Sequence, residues 1–195
     1  MSIHQTVSII GAGAWGTTLA CMIAQKGHKV KIWAYKTETC DDINRFRENR
    51  EFLAGIAVPA NVCASGDLDF VLSGSRFVIL SSPSHTLRPF LKKISPLISD
   101  KNDFISVIKG IEEKNFMTVS EIVAEEFESI PGLEKIRNKI AVVSGPNLAR
   151  EIAAGLPSTT VVAARSKKLR EDAQQLLSTE RFRAYTSEDV AGLEF

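Results

Sequence analysis

Apolar and polar positions along the chain follow two alternating patterns, short β-branched runs and longer segments with helical periodicity. Strands that alternate with helices are typical of a mainly parallel sheet covered by helices on both faces. The sequence therefore predicts an α/β, doubly wound fold. The β-branched runs predict seven strands, at Thr6–Ile10, Val30–Trp33, Phe77–Leu80, Phe104–Ile108, Ile140–Val143, Thr159–Ala163 and Phe182–Tyr185. The segments between them predict six helices, at Thr17–Lys26, Glu38–Glu48, Leu87–Ile98, Thr118–Phe127, Leu148–Ala154 and Lys167–Leu177.

Composition narrows the class of protein. The 195 residues are 44% hydrophobic and 24% charged, as in an ordinary soluble globular protein, and no repeat or linker divides them, so we expect one domain over residues 1–195. The 24 basic and 23 acidic residues are interleaved, which favours neither nucleic acid nor an anionic membrane as partner. Three widely spaced cysteines predict neither a disulfide framework nor a metal site, and fit the cytoplasm. No apolar run approaches 18 residues, so we expect no membrane insertion.

The last stretch of the sequence, SEDVAGLEF at residues 187–195, reads as helix up to Phe195 and contains no stop signal. Two interpretations remain open. Either this tail docks on the domain, or it begins the connection to a second domain.

Three glycines follow the first predicted strand and precede the first predicted helix. Gly11, Gly13 and Gly16 match the pattern G-x-G-x-x-G in the position where a phosphate-binding turn needs it. In such a turn the first glycine permits the tight bend, the second lets the backbone approach a pyrophosphate, and the third allows close packing of helix on strand. We therefore predict a Rossmann-type dinucleotide site at the start of this helix, with a close-packed turn that holds no ligand as the alternative.

The end of the second strand is informative because NAD-specific folds usually place a carboxylate there to hold the ribose 2′-hydroxyl. Here the stretch reads Trp33-Ala34-Tyr35-Lys36, and the first carboxylate is Glu38. Lys36 is suited to attract a 2′-phosphate, and Tyr35 to stack beside adenine. The pattern favours NADP or use of both dinucleotides; alternatively, Lys36 is a solvated loop charge.

In open α/β sheets ligands bind beyond the carboxyl ends of the strands. After Leu80, a small-residue loop contains Ser82 and Pro83, which are suited to lie against cofactor ribose or nicotinamide, or else form a plain turn. His85 in the same loop is a candidate acid or base, although an exposed loop histidine is the commoner case.

Lys109 follows the fourth predicted strand and has a glycine beside it. A carbonyl reduction by hydride needs a positive group near the developing alkoxide, and a phosphorylated substrate needs countercharge, so Lys109 is a candidate for both roles. After Val143, Gly145 and Asn147 are candidate donors to a ligand, with Asn147 as a plain helix N-cap as the alternative. The residues contain no metal-ligand cluster and no Ser-His-Asp arrangement.

Taken together, several ordered segments resemble the bacterial-type glycerol-3-phosphate dehydrogenase family over nearly the full length of the chain. A set of motifs in this order is far more specific than one glycine pattern. The matching segments are GAGAWGTTLA, GHKVKIWAY, FVILSSPSH, VIKG, VSGPNLAREIAAGLPSTTVVA and RFRAYTSEDVAGLEF.

The resemblance implies an enzyme that reduces dihydroxyacetone phosphate to sn-glycerol 3-phosphate with NADH or NADPH, for phospholipid synthesis. It implies cofactor contacts for Ala14, Trp15, Tyr35, Lys36 and Ala149. It implies that Lys109 contacts cofactor and substrate, and that Gly145 and Asn147 hold the substrate. Asn147 stands where the family commonly has Ser or Thr, which weakens the analogy for its side chain.

The resemblance also implies a continuation. Members of the family carry their catalytic lysine a few residues beyond the position of Phe195, followed by an all-helical domain that supplies substrate and dimer contacts. Residues 187–195 are then expected to start the connection to that domain, and the 195 residues alone to have little activity. Rival interpretations are a non-catalytic NAD(P)-binding module and a related two-domain reductase of the 6-phosphogluconate or ketopantoate type.

Overall fold

The computed structural model describes residues 4–195, so the first three residues of the predicted domain lie outside the described part. The strands span Thr6–Ile10 (β1), Lys29–Trp33 (β2), Glu48–Asn49 (β3), Leu53–Ala57 (β4), Val62–Ser65 (β5), Ser75–Leu80 (β6), Asp103–Ser106 (β7), Ile140–Ser144 (β8), Ser158–Ala164 (β9) and Phe182–Ser187 (β10). The α-helices span Ala14–Gln25 (α1), Thr37–Asp41 (α2), Leu68–Leu72 (α3), Leu87–Ile94 (α4), Val119–Phe127 (α5), Ala149–Ala153 (α6), Lys167–Leu177 (α7) and Val190–Glu194 (α8).

Eight of these strands form one sheet in the order β10-β9-β8-β7-β6-β1-β2-β5, and β3 and β4 form a separate antiparallel hairpin. Every neighbouring pair in the large sheet is parallel except β8 with β9. The predicted doubly wound, mainly parallel fold is therefore confirmed. Because β1 lies between β2 and β6, the strand order reverses there, and this is where such folds open a ligand crevice.

The central strands are buried on both faces, which explains their nearly continuous apolar sequences. In β1, Ile9 pairs with Ile32 of β2 and Ile79 of β6, and none of the three is exposed to solvent. Ile9 packs into a core with α1 and α7, whereas Ile10 packs into a second core with α4 and α5. Alternate side chains of one strand thus hold helices on opposite faces of the sheet.

The seven predicted strands are all present, with ends shifted by at most two residues. The helix predicted over Glu38–Glu48 differs from the structure, where α2 passes into a π-helical turn over Asp42–Phe46 that ends at Arg47 with φ of 55°. The cause is Asn44, whose side chain forms hydrogen bonds with both the N–H and the C=O of Ala64 on β5. This tertiary contact, between residues 20 positions apart in the sequence, holds the segment against the edge strand.

Two other predicted helices begin or end elsewhere. The predicted helix Leu87–Ile98 ends at Ile94 and continues as a 3₁₀ turn that contains Pro96. The first helix begins at Ala14, three residues before the predicted start. The sequence patterns did not predict β3, β4, β5 or α3, none of which is longer than five residues.

Within residues 4–195, no helix combines the length and the apolar character that crossing a bilayer requires.

Candidate functional site

A cleft of about 860 Å³ opens at the carboxyl edge of the sheet, where β1, β2, β6 and β7 end. It brings together most of the residues that the sequence predicted to bind a cofactor: Gly11, Gly13, Ala14, Trp15, Tyr35, Lys36, Ser82, Pro83 and Lys109. Sequence reasoning missed other residues that line the same cleft: Thr39, Phe52, Thr86, Pro89, Phe90 and Lys93. The helical wall of the cleft comes from α4, whose apolar face is already needed for the core, so its sequence pattern gave no signal for a ligand.

Two of the three glycines are required by packing. Gly11 has φ of +114°, and a Cβ there would lie 2.6 Å from the carbonyl oxygen of Ser81. A Cβ on Gly16 would lie 1.9 Å from the carbonyl oxygen of Gly11. Any side chain at either position would collide with main chain. Packing therefore requires glycine at both positions, whether or not a ligand binds.

Gly13 differs from the other two glycines. Its φ of −73° is accessible to any residue, and a Cβ there would have no atom of residues 4–195 within 4 Å. In the described part of the chain no side chain caps α1, and the first turn of this helix holds no acidic residue. The amides at the start of α1 therefore face the cleft without a competing anion, and the space beside Gly13 suits a phosphate group.

Asn49 of β3 fixes the glycine turn from behind and was missed by the sequence analysis. Its side-chain amide donates hydrogen bonds to the carbonyl oxygen of Ala12, at 2.8 Å, and to the hydroxyl of Thr17, at 2.7 Å. Its side-chain oxygen accepts a hydrogen bond from the backbone N–H of Phe52. Since Asn49 is fully buried, these bonds are shielded from water and link the β3–β4 hairpin to the turn.

Ser82 lines the cleft, and its buried Oγ has no hydrogen-bond partner among the described residues. A buried hydroxyl without a partner is unfavourable by about 1–3 kcal/mol. A ligand with hydroxyl, amide or phosphate groups would supply the missing partner. The donor set of the cleft thus fits an anionic, hydroxyl-rich molecule such as a dinucleotide.

At the end of β2, the predicted adenosine-binding residues are solvent-accessible. Tyr35 is 87% exposed, and Phe52 projects toward the same part of the cleft. The ammonium of Lys36 lies 2.5 Å from a carboxylate oxygen of Glu51 and 5.8 Å from the centre of the Phe52 ring. Lys36 is therefore paired with a carboxylate, which the sequence pattern at this strand end did not indicate.

Lys109 lies where two cavities meet. It lines the large cleft and also a smaller one of about 340 Å³, which is bounded by β8 and α8. Its ammonium donates a hydrogen bond to the carbonyl oxygen of Gly145, at 3.1 Å. The structure therefore brings Lys109 and Gly145 together, as the sequence analysis grouped them.

Asn147 does not cap a helix, so the alternative of a plain N-cap is wrong. The N-cap residue of α6 is Leu148, which makes no side-chain cap. The amide of Asn147 instead donates to the carbonyl oxygen of Thr159, and its side-chain oxygen accepts from the hydroxyl of Thr160. A Cβ on Gly145 would be 3.1 Å from the same Thr159 oxygen, so the whole turn packs closely on β9.

Three other predicted residues have distinct surroundings. Ala149 lies outside the cleft lining, and its carbonyl oxygen accepts a hydrogen bond from the hydroxyl of Thr18 on α1. Trp15 lines the cleft and makes an edge contact with the buried ring of Phe182, with ring centroids 6.1 Å apart. His85 is exposed in a 3₁₀ turn and lies outside the cleft lining.

The loop that carries Lys109 is held by an ion-pair network around Arg88 of α4. The Arg88 guanidinium forms two hydrogen bonds with Glu112, at 2.8 and 2.9 Å, and one each with Glu125 and Glu126, at 2.6 Å. These contacts, led by the hydrogen bonds from Arg88, hold the pKa of the Glu112 carboxyl below its usual range. Charge therefore fixes the position of this loop.

No group of three or more His, Cys, Asp or Glu side chains in residues 4–195 is arranged to hold a metal ion.

Comparison with known proteins agrees with this geometry. The family model described as NAD-dependent glycerol-3-phosphate dehydrogenase N-terminus matches residues 6–170. A glycerol-3-phosphate dehydrogenase [NAD(P)+] of Bacillus velezensis is 35% identical over 188 residues, which cover 96% of this chain and 53% of that protein. The chain thus spans about half the length of the curated relatives it matches.

Solved structures show the same fold. A glycerol-3-phosphate dehydrogenase from Coxiella burnetii superposes with a TM-score of 0.89 at 31% identity, covering 99% of this chain and 57% of that one. A ketopantoate reductase from Ralstonia eutropha, of the rival type, reaches a TM-score of 0.69 at 17% identity, over 96% of this chain and 58% of that one. The second likeness shows a shared fold alone.

Proposed function

The chain belongs to the family of NAD-dependent glycerol-3-phosphate dehydrogenase N-termini, and we propose that it is the dinucleotide-binding portion of such an enzyme. The reaction proposed for the whole protein is reduction of dihydroxyacetone phosphate to sn-glycerol 3-phosphate with NADH or NADPH. This reaction supplies the glycerol phosphate unit of phospholipids.

One observation carries the proposal. The turn at Gly13 leaves room for a ligand at the uncapped N-terminus of α1, at the point where the strand order of the sheet reverses. Packing alone explains Gly11 and Gly16 but not the absence of a side chain at Gly13. A pyrophosphate bound by the first-turn amides accounts for the glycine at position 13.

The residues of the cleft have separable roles in this reaction. A reduced dinucleotide, when bound, supplies the hydride. The first turn of α1 binds its pyrophosphate, and the Ser82 hydroxyl donates or accepts a hydrogen bond at the cleft wall. The Lys109 ammonium, held against the Gly145 carbonyl, provides positive charge for a phosphorylated substrate and for the oxygen that gains negative charge. On the resemblance, we assign Gly145 and Asn147 to hold the substrate beside Lys109, although neither of them lines the two cavities.

Several further properties rest on the resemblance. We propose that residues 187–195 lead into a helical substrate domain, that the catalytic lysine lies beyond Phe195, and that the complete enzyme is a homodimer. A protein of these 195 residues alone is then expected to turn over dihydroxyacetone phosphate at a rate about 10²-fold or more below that of a full-length relative, because the general acid is missing. A cytoplasmic location is proposed as well; Cys21, Cys40 and Cys63 are all free thiols.

The direct test measures the dissociation constants of NADH and NADPH for the wild-type chain and for Gly13→Val, by calorimetry or nucleotide fluorescence. Because the backbone at Gly13 suits any residue and the space is free of protein, we expect Gly13→Val to fold normally and to bind either dinucleotide at least about tenfold more weakly.

The matched control is Gly66→Val. At Gly66 a Cβ would lie an ordinary 3.6 Å from the Ala34 oxygen, and the residue does not line the cleft. Equal binding by Gly13→Val and wild type would remove the turn as the pyrophosphate site.

A further inference from the structure

An ion pair lies at the rim of the cleft, at the end of β2. Lys36 and Glu51 approach to 2.5 Å, and their side chains are 50% and 44% exposed. An exposed pair of this kind contributes little to folding stability. Lys36 lines the cleft together with Tyr35 and Phe52, and this brings the Glu51 carboxylate beside the cleft.

The position of Glu51 is set by the β3–β4 hairpin, which is bonded to the glycine turn. It follows Arg50 in the turn between β3 and β4, between Asn49, which is bonded to the Ala12 carbonyl, and Phe52, which lines the cleft. The hydrogen bond from the Phe52 amide to the Asn49 side chain closes this turn, at 3.2 Å. The carboxylate therefore has a defined location relative to the site at which the dinucleotide is proposed to bind.

Other charges of the hairpin are already engaged. Arg50 forms hydrogen bonds with Asp42, and the Glu48 carboxylate accepts the amide of Gly55 at 2.7 Å. Lys36 is consequently the cation that Glu51 neutralises. A phosphate group bound near Lys36 would therefore lie beside an ion pair with no net charge. The Glu51 carboxylate of this pair would repel the phosphate from a distance of a few ångströms.

We propose that Glu51 determines dinucleotide specificity: its carboxylate accepts the free 2′-hydroxyl of an adenosine ribose and disfavours a 2′-phosphate at Lys36. Glu51 thus does from the hairpin what the carboxylate at the end of the second strand does in NAD-specific folds. This inference rests on the proposed function and deepens it, because Lys36 considered alone favours NADP. With Glu51 beside it, the site favours NADH.

The test is titration of wild type and Glu51→Gln with NADH and with NADPH. A 2′-phosphate carries almost two negative charges, so removing one negative charge several ångströms away should tighten NADPH binding by roughly tenfold at low salt. NADH binding should be unchanged or weaker by a few fold. Asp41→Asn is the matched control, because Asp41 pairs with Arg45 outside the cleft and its replacement alters the net charge equally.

A second variant isolates the pair. Lys36→Gln should weaken NADPH binding strongly in the Glu51→Gln background and only slightly in the wild type, where Lys36 is neutralised. The inference is overturned if Glu51→Gln leaves the NADH to NADPH ratio of dissociation constants unchanged, or if Asp41→Asn changes that ratio as much. If wild type binds neither dinucleotide, the proposed function fails and the inference fails with it; binding without a change in ratio overturns the inference alone.

Discussion

The glycine turn at residues 11–16 lines the candidate cofactor cleft and the loop at residues 109–118 contributes Lys109 to it, but different forces hold the two segments in place. The turn is fixed by main-chain contacts that leave no room for a side chain at Gly11 and Gly16, and by the fully buried Asn49. The loop is fixed by the ion pair between Arg88 and Glu112, whose side chains are both 22% exposed. Packing determines the conformation of the turn, and ion pairing determines the position of the loop.

This difference matches the parts that the two regions play in the proposed reaction. A pyrophosphate presents the same shape in every catalytic cycle, so a rigid backbone cradle can be built for it once. The loop carries Lys109, which lies between the two cavities and has a hydrogen bond to the Gly145 carbonyl that a substrate can replace. A loop held by a partly exposed ion pair opens at lower free energy than a packed turn.

The largest effect is expected at Gly16. In Gly16→Ala the new methyl group would collide with the Gly11 carbonyl, which is backbone and cannot rotate away, so the free energy of unfolding should fall by about 3 kcal/mol or more. Gly13→Ala, three residues earlier, should change it by no more than about 1 kcal/mol. Urea denaturation measures both. Similar losses in the two variants would contradict the view that packing sets the turn.

A smaller but still substantial loss is expected at Asn49. Asn49→Ala leaves the Ala12 carbonyl and the Thr17 hydroxyl without their buried donor and should lower the free energy of unfolding by about 2 kcal/mol. Because the turn itself is loosened, NADH affinity should fall as well.

The control for Asn49→Ala is Asn44→Ala, which removes two hydrogen bonds to Ala64, outside the cleft lining. Asn44→Ala should lower the free energy of unfolding without lowering the NADH affinity of the folded protein. If both variants weaken NADH binding equally, Asn49 acts through global stability and does not position the turn.

The same contrast explains which parts of the molecule could be predicted from the sequence. The glycine turn was found because a main-chain cradle leaves a residue pattern at fixed spacing after a strand. Asn49 was missed because one polar residue in a two-residue strand has no local signal, and its partners Ala12 and Thr17 are distant in sequence. Glu51 was missed for a related reason, since it reaches Lys36 only when the hairpin folds against the end of β2.

Strand and helix prediction shows the same limit. Long periodic segments such as α7 were predicted to the residue, because burial of one face decides their structure. The segment after α2 was misjudged because the side chain of Asn44, bonded to an edge strand that the sequence did not reveal, overrides its helical periodicity. The local sequence pattern predicts helices and strands that pack one face on the core. It fails where a single tertiary hydrogen bond determines the backbone conformation.

The smallest effect is expected from acidification, which should loosen the loop before the turn. The hydrogen bonds from Arg88 lower the pKa of Glu112 below its usual value of 4.5 in the folded chain. The pair therefore stabilises the loop fully above about pH 4.5, and this stabilisation is lost as the pH falls below 4.5 through the folded-state pKa. Amide resonances of Glu112 and Met117, which are joined by a backbone hydrogen bond, should shift in this range while those of Gly11 and Thr17 stay constant. In Glu112→Gln the shift should disappear, and simultaneous movement of both regions would show that charge does not separate them.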